Sequence, residues 1–423
     1  MSQSIAVILG LVAGIVVGML IGAFGNAAVH DAVQVIRPVG ELWLSMLQMT
    51  VIPLVVSLLI TGIASASDTA ANGRLAARTL LMFLLFLVCT AVGAALVVPV
   101  LLKLWPVAPE AGAALRASLS PHATVPEAPA IAEFFHNIVP KNPFKAAADG
   151  AILPLIVFSL FFGLAASRVK APLRGSLLNF FSAIVETMLI IVNWVLWAAP
   201  VGVFALAINV GLEKGLAVAG AIGQYVILTC LVGLLVTLAM YVVVAFTPGL
   251  SVARFARAAL PPQAVAISTQ SSLASLPAML TAARNFGLPQ RVTGVVLPLA
   301  VSLFRATSPP VNLAIVLFVA HVYGVHLAPL AIATGTVVAV VTSLGVVSLP
   351  SALTFFTTTV PISLAMGVPM ELLTLLVAVE VFPDLFRTVG NVTADLTVTA
   401  LVARREAAVD EIGAPALPDV AER

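Results

Sequence analysis

The 423-residue chain is 61% hydrophobic and only 9% charged, with a mean hydropathy of +1.15. A water-soluble domain carries about a quarter charged residues, so folding in water is excluded and insertion into a bilayer is implied. The net charge of +2, with no basic patch, excludes nucleic acid as a partner. Cys89 and Cys230 lie inside apolar runs without metal or redox spacing.

Apolar stretches near 4–24, 41–66, 77–104, 150–167, 177–210 and 215–247 are long enough to cross a bilayer. The first has no Lys or Arg ahead of it and reads as a mature span, not a cleaved leader. Residues 107–149, rich in Pro and Ala and holding His122 and His136, read as a long surface connection. From about 251 to 402 the apolar segments are broken by Ser, Thr, Gly and Pro, as in Ile267 to Pro277 and Ser343 to Pro350. Two such interruptions predict paired helical hairpins that enter the membrane and turn back, since irregular backbone at that depth survives only against protein or a polar cavity; two kinked ordinary helices are the alternative. Residues after Ala403 form a charged tail predicted to be disordered.

Orientation follows from the basic residues. With the amino terminus in the cytoplasm, the connections holding Arg74 and Arg78, Arg168 to Arg174, Arg254 and Arg257, Arg284 and Arg291, and Arg404 and Arg405 fall inside. Arg37, Lys103, Arg116, Lys141, Lys145 and Lys214 fall outside, mostly singly. The expectation is a multi-pass protein of the cell (inner) membrane with both termini cytoplasmic.

Two basic residues, Arg305 and Arg387, and four acidic ones, Glu186, Glu380, Asp384 and Asp395, sit inside apolar segments. A charge at mid-bilayer costs several kcal/mol, which makes each a candidate functional group. In the last segment Arg387, Thr388, Asn391 and Asp395 follow Asp384 at offsets of 3, 4, 7 and 11. At 3.6 residues per turn these groups share one helical stripe. Arg387 offers a planar fork for a carboxylate, and Asp384 can hold an ammonium one turn away. Asn391 and Asp395 carry the oxygens that a hard cation needs. The alternative is an internal Asp384–Arg387 salt bridge that only fixes packing.

These segments resemble the glutamate transporter family, the dicarboxylate/amino acid:cation symporters. The resemblance rests on Leu47 to Pro53, Pro140 to Phe144, Leu153-Pro154 with Gly163, Ala199 to Phe204, Ser271-Ser272 ahead of Leu276-Pro277, Leu297 to Leu299, and Asp384, Arg387, Thr388, Asn391 and Asp395. It implies an all-α polytopic membrane protein with eight transmembrane spans and two re-entrant helical hairpins. It also implies a homotrimer whose protomers each divide into a scaffold and an elevator-like transport domain. The divisions are scaffold spans at 1–76, transport-domain span 3 at 77–106, connection and scaffold spans at 107–210, the rest of the transport domain at 211–402, and the tail at 403–423. Carried over, Arg387 binds the side-chain carboxylate of a small anionic solute and Asp384 its amine, with Thr388, Asn391, Ser308 and the Ser271-Ser272 tip completing the site. Ser348, Leu349, Pro350, Ser351 and Ala352 form the gate. The aspartate at 384 favours acidic amino acids over dicarboxylates.

The sequence departs from that family in its seventh span. Phe304-Arg305-Ala306-Thr307-Ser308 stands where the family has Asn-Met-Asp-Gly-Thr, and Phe83, Phe86 and Leu87 replace polar sodium ligands of the third span. Phenylalanine cannot ligate a hard cation. Arg305 is therefore expected to act as a tethered cation toward Asp395 or the solute carboxylate, with weakened sodium dependence and proton coupling or exchange in its place. A snorkelling Arg305, with sodium still held near Asp395, is the alternative. No organic cofactor or bound metal is implied; the coupling ion is sodium or a proton, with Asp395, Glu380 and His321 as proton candidates. The second hairpin carries Ser348, Ser351 and Leu353 in place of glycines, which stiffens the gate. A channel needs a continuous polar lining, and an enzyme needs a nucleophile–base pair or metal ligands; neither pattern is present.

Overall fold

A computed structural model describes residues 3–24, 27–71, 73–119, 139–345 and 351–413, and among these every regular element is a helix. In chain order they are α1 (Gln3–Phe24), α2 (Ala27–Ala71), α3 (Arg74–Leu104), α4 (Pro109–Leu119), α5 (Pro143–Ala148), α6 (Ile152–Ala166), α7 (Ala171–Trp197) and α8 (Ala199–Ala245). Then come α9 (Val252–Thr269), α10 (Ser272–Asn285), α11 (Gln290–Leu303), α12 (Ser308–Tyr323), α13 (Pro329–Gly345), α14 (Ser351–Ala365), the short α15 (Leu373–Leu376) with a 3-10 turn at Val377–Val379, and α16 (Val381–Gly413). Five stretches among the described residues are long and apolar enough to cross a bilayer: Pro38–Ala64, Arg74–Leu104, Ala171–Trp197, Val218–Ala245 and Gln290–Tyr323. The chain is a multi-pass membrane protein.

The second of these stretches, α3, shows how the sequence sorts its faces. It buries Thr79, Phe83, Leu87, Ala91, Ala94, Val98 and Leu102, spaced by three and four, and exposes Leu81, Leu84, Leu85, Val88 and Leu96. Leu and Val on the uncovered face suit lipid, while the small and aromatic residues pack against protein.

Three boundaries differ from the sequence expectation. Residues 41–66 form only part of α2, which runs on through Pro38 and Pro53. The helix expected over 177–210 breaks instead at Ala198, because Pro200 supplies no N–H to the preceding turn. From there α8 continues for 47 residues, through Lys214; no proline follows Pro200 in that segment to stop it. The connection over 107–149 is not all loop. Pro109 starts α4, which packs on α8 and α12 and buries Ala111 and Leu115, while Gln224 Nε2 donates to the Trp105 carbonyl at 2.5 Å. Within the same connection, Asn142 caps α5 by accepting from Phe144 N and Lys145 N at 3.0 and 3.1 Å, with Pro143 at the first helical position. His122 and His136 lie outside the described residues.

Helix α1 lies along the first turns of α8. A Cβ on Gly10, Gly14, Gly18 or Gly22 collides with Pro200, Phe204 and Ala207, Ile208 and Gly211, or Leu212 respectively. A four-residue glycine repeat thus lets two backbones approach, the way helices gain packing where lipid offers no hydrophobic drive. Gly18→Leu is expected to cost about 1–3 kcal/mol through overpacking and to lower the thermal unfolding midpoint in detergent. Gly220→Ala, at an exposed position with nothing within 4 Å of the added Cβ, should leave the midpoint unchanged.

Candidate functional site

The site is built around the break between α11 and α12. Phe304 leaves the helix in an extended conformation, and Pro309 and Pro310 in the first turn of α12 fix its start. The backbone groups freed by the break find side-chain partners. Thr307 N donates to Asn391 Oδ1 at 3.0 Å, and Thr90 Oγ1 in α3 donates to the Ala306 carbonyl at 3.0 Å. The Thr307 hydroxyl lies 2.7 Å from Asn391 Oδ1 and 2.9 Å from the Arg387 carbonyl. Asn391 therefore splints the broken span to α16, and its Oδ1 is engaged in that task.

Two glycines set α16 at this distance. A Cβ on Gly390 collides with Thr307, and one on Gly233 in α8 comes within 3.1 Å of Phe386. With α16 so placed, its polar stripe turns inward: Asp384 is 9%, Arg387 2%, Thr388 5%, Asn391 5% and Asp395 0% exposed. The stripe begins one turn earlier than Asp384. Glu380, also buried, brings Oε1 to 2.6 Å from Arg387 Nη2, while Tyr225 of α8 donates to its Oε2 at 2.8 Å. Arg387 is thus paired with Glu380, seven residues back on the same face. The contact is close but badly aligned. Nε, Nη1 and Nη2 of Arg387 have no hydrogen-bond partner among the described residues, so the guanidinium fork is neutralised without its donors being used. Thr388 Oγ1 donates to the Asp384 carbonyl at 2.8 Å.

Asp395, one turn beyond Asn391, is fully buried, and neither carboxylate oxygen has a hydrogen-bond partner among the described residues. The cation whose charge acts on it is Arg305 in the break, which also acts on Asp384. Where the sequence reading expects no third-span sodium ligands, the space is filled with rings. Phe83 stacks on Phe304 at 4.6 Å between centroids, 7° apart, and Phe86 meets Phe304 edge-on at 6.3 Å. Leu87, Ala306 and Ala394 complete this apolar cluster.

The model of the sodium:dicarboxylate symporter family matches residues 4–405. The chain belongs to that family. A proton/sodium-glutamate symport protein of Bacillus subtilis (strain 168) is 31% identical over 398 residues, 90% of this chain and 88% of the relative. The proton/glutamate-aspartate symporter of Escherichia coli (strain K12) is 28% identical, covering 88% of this chain and 86% of its own. The C4-dicarboxylate transport protein 2 of Mesorhizobium japonicum (strain LMG 29417 / CECT 9101 / MAFF 303099) is 29% identical over 89% of this chain and 84% of its own.

For this symporter-family chain the expected residues fall into three groups. Asp384, Arg387, Thr388, Asn391, Asp395, Arg305 and Ser308 meet around the broken span; Ser308 is 1% exposed and its Oγ has no hydrogen-bond partner among the described residues. Ser271 and Ser272 sit at the tip of the α9–α10 hairpin, where Gln270 turns the chain in the left-handed region (φ 51°) and Ser271 Oγ caps α10 by accepting from Ala274 N at 3.2 Å. That tip reaches α16, since Gln270 Nε2 donates to the Val381 carbonyl at 3.4 Å. Ser348, Leu349 and Pro350 lie outside the described residues, and Ser351 and Ala352 open α14. Glu186 and His321 are exposed on α7 and α12. Sequence reasoning missed Tyr225 and the α12–α14 contact in which Asn312 Nδ2 donates to Thr358 Oγ1 at 2.8 Å. It noticed Glu380 as an odd charge without assigning it to the stripe, although its offset of four from Asp384 was the available signal.

Proposed function

We propose that this protein is a secondary active transporter of acidic amino acids that works as an elevator with reduced sodium coupling. The observation that carries the reading is Arg387: a guanidinium buried to 2% exposure whose three nitrogens lack aligned acceptors. A buried charge left half-satisfied is costly unless a partner arrives, and a bidentate carboxylate is the partner its shape fits. In this reading Glu380, held by Tyr225, occupies Arg387 while the site is empty and yields it to the substrate side chain. Asp384 one turn away takes the amine, which favours aspartate or glutamate over a dicarboxylate. The dicarboxylate reading stays as the second one, because a relative named as a C4-dicarboxylate transport protein is 29% identical, between the 28% and 31% of two glutamate carriers. Thr388, Ser308 and the Ser271-Ser272 tip complete the grip; residues 348–352 serve as the gate, and the protein assembles as a trimer.

The elevator reading draws support from how the hairpins pack. Helices α13 and α14 lie against α2 and α6, while α9 and α10 pack on each other and on α11, α8 and α16. This fits a transport unit, α9 to α16 with α3 and the second half of α8, packed against a scaffold of α1, α2, α6 and α7. The reduced sodium coupling rests on Arg305, whose charge acts on Asp395, and on the Phe83–Phe304 stack.

Uptake of labelled L-aspartate into proteoliposomes, with and without a sodium gradient and in competition with L-glutamate, succinate and malate, tests the reading. Saturable uptake that L-glutamate blocks, with little response to sodium, supports it; uptake blocked equally by succinate shifts it to dicarboxylates. Glu380→Gln is expected to remove the internal competitor. Thermal unfolding should then show a less stable empty protein and a larger stabilisation by L-aspartate, with affinity raised about tenfold, or about 1.4 kcal/mol.

A further inference from the structure

The two legs of the first hairpin, α9 and α10, do not close on each other along their whole length. Between them runs an open cleft of about 620 Å³, lined by Arg254, Arg257 and Pro261 on one leg and by Pro277, Thr281 and Phe286 on the other. Arg254, Arg257 and Pro261 stand at i, i+3 and i+7, so they face one side of α9. Both arginines and both prolines are exposed along the cleft.

No acidic residue answers these arginines from nearby in the chain. No Asp or Glu occurs between Glu213 and Glu371, a stretch that also contains Arg284, Arg291 and Arg305. Among the described residues neither Arg254 nor Arg257 has a carboxylate within 4 Å, and both are exposed. The rule that basic residues gather on the cytoplasmic side accounts for their sign, but not for a cleft between the two legs whose lining beyond the arginines is mostly apolar.

We propose that this cleft binds an anionic phospholipid, with the headgroup phosphate on Arg254 and Arg257 and part of an acyl chain along Pro261 and Pro277. Each feature selects one part of that molecule. Guanidinium forks bind phosphate in two-point contacts, and basic pockets at the cytoplasmic face collect anionic headgroups. The volume exceeds what a free phosphate fills, and the lining beyond the arginines is mostly apolar, Ala278 included, with Thr281 and Asn285 as its polar members. The bilayer surrounding the protein supplies the ligand. The site does not depend on what the protein transports.

The full-length protein, purified and placed in nanodiscs or detergent, is tested by native mass spectrometry against dioleoyl phosphatidylglycerol and dioleoyl phosphatidylcholine. The wild type should retain phosphatidylglycerol with about tenfold preference, and the double variant Arg254→Gln/Arg257→Gln should lose that preference, while Arg284→Gln, outside the cleft lining, keeps it. Ala278→Phe fills the cleft with both arginines intact and should also displace the lipid, which covers the case in which the double variant fails to fold. Retention unchanged in the double variant and in Ala278→Phe overturns the proposal. So does displacement of the lipid by millimolar inorganic phosphate with Ala278→Phe still binding phosphate, since that outcome makes the cleft a site for a soluble anion.

Discussion

Replacing Arg387 with Gln is expected to weaken binding of an acidic amino acid by about 10²–10³-fold, or about 3–4 kcal/mol, and to abolish measurable uptake. The size follows from burial. Removing one member of a desolvated charge pair leaves the other unpaired, and here the substrate carboxylate would face Asp384 and Glu380 with no cation of the stripe between them. Glu380 gives the variant a readout that distinguishes a binding role from a packing one. If Arg387 served only to neutralise Glu380, Arg387→Gln combined with Glu380→Gln would restore folding and transport together. The site described here predicts restored thermal stability with transport still absent. Arg387→Lys should recover little, because a single ammonium cannot reproduce the fork.

Arg305→Met is expected to change the ion dependence of transport. In the wild type the Asp395 carboxylate is fully buried, its oxygens lack hydrogen-bond partners among the described residues, and Arg305 acts on it through its charge without an ion pair between them. Without that guanidinium the carboxylate requires a proton or a metal cation, and an uncompensated buried charge costs about 3–5 kcal/mol. The variant should therefore unfold at lower temperature in sodium-free buffer and recover part of that loss when sodium is added, a response that the wild type lacks. Arg305→Met/Asp395→Asn should regain stability without sodium. Strict sodium dependence of wild-type uptake, unchanged in Arg305→Met, would contradict the tethered-cation reading. The Phe83–Phe304 stack argues the same way, since two rings at 4.6 Å leave no oxygen where a cation ligand would stand.

What the sequence made legible follows from which interactions are local. The stripe from Asp384 to Asp395 could be read because a helix turns spacing into direction, and the structure buries all five of its polar groups. The first hairpin could be read because the Ser-rich, Pro-flanked segment 267–277 cannot continue as one regular apolar helix; the structure turns it at Gln270. Interactions across the fold could not be read. Tyr225 lies 155 positions from Glu380, and nothing in its surroundings marks it as the group that holds that carboxylate. Asn391 was assigned to solute and cation, whereas its Oδ1 is taken by Thr307, a partner 84 positions away. Helix ends were least legible where breakers were weak. Gly211 and Gly215 did not interrupt α8, and Pro200 moved the break to Ala198.

The claim on which the account depends is that Arg387 and Asp384 together grip a solute bearing both a carboxylate and an amine. Thermal unfolding of the purified wild-type protein in sodium-free buffer, with L-aspartate or succinate at matched concentration, tests it most directly. L-Aspartate should raise the midpoint, succinate should raise it little, and Asp384→Asn should abolish the difference. No stabilisation by either compound, with sodium absent or present, would contradict it.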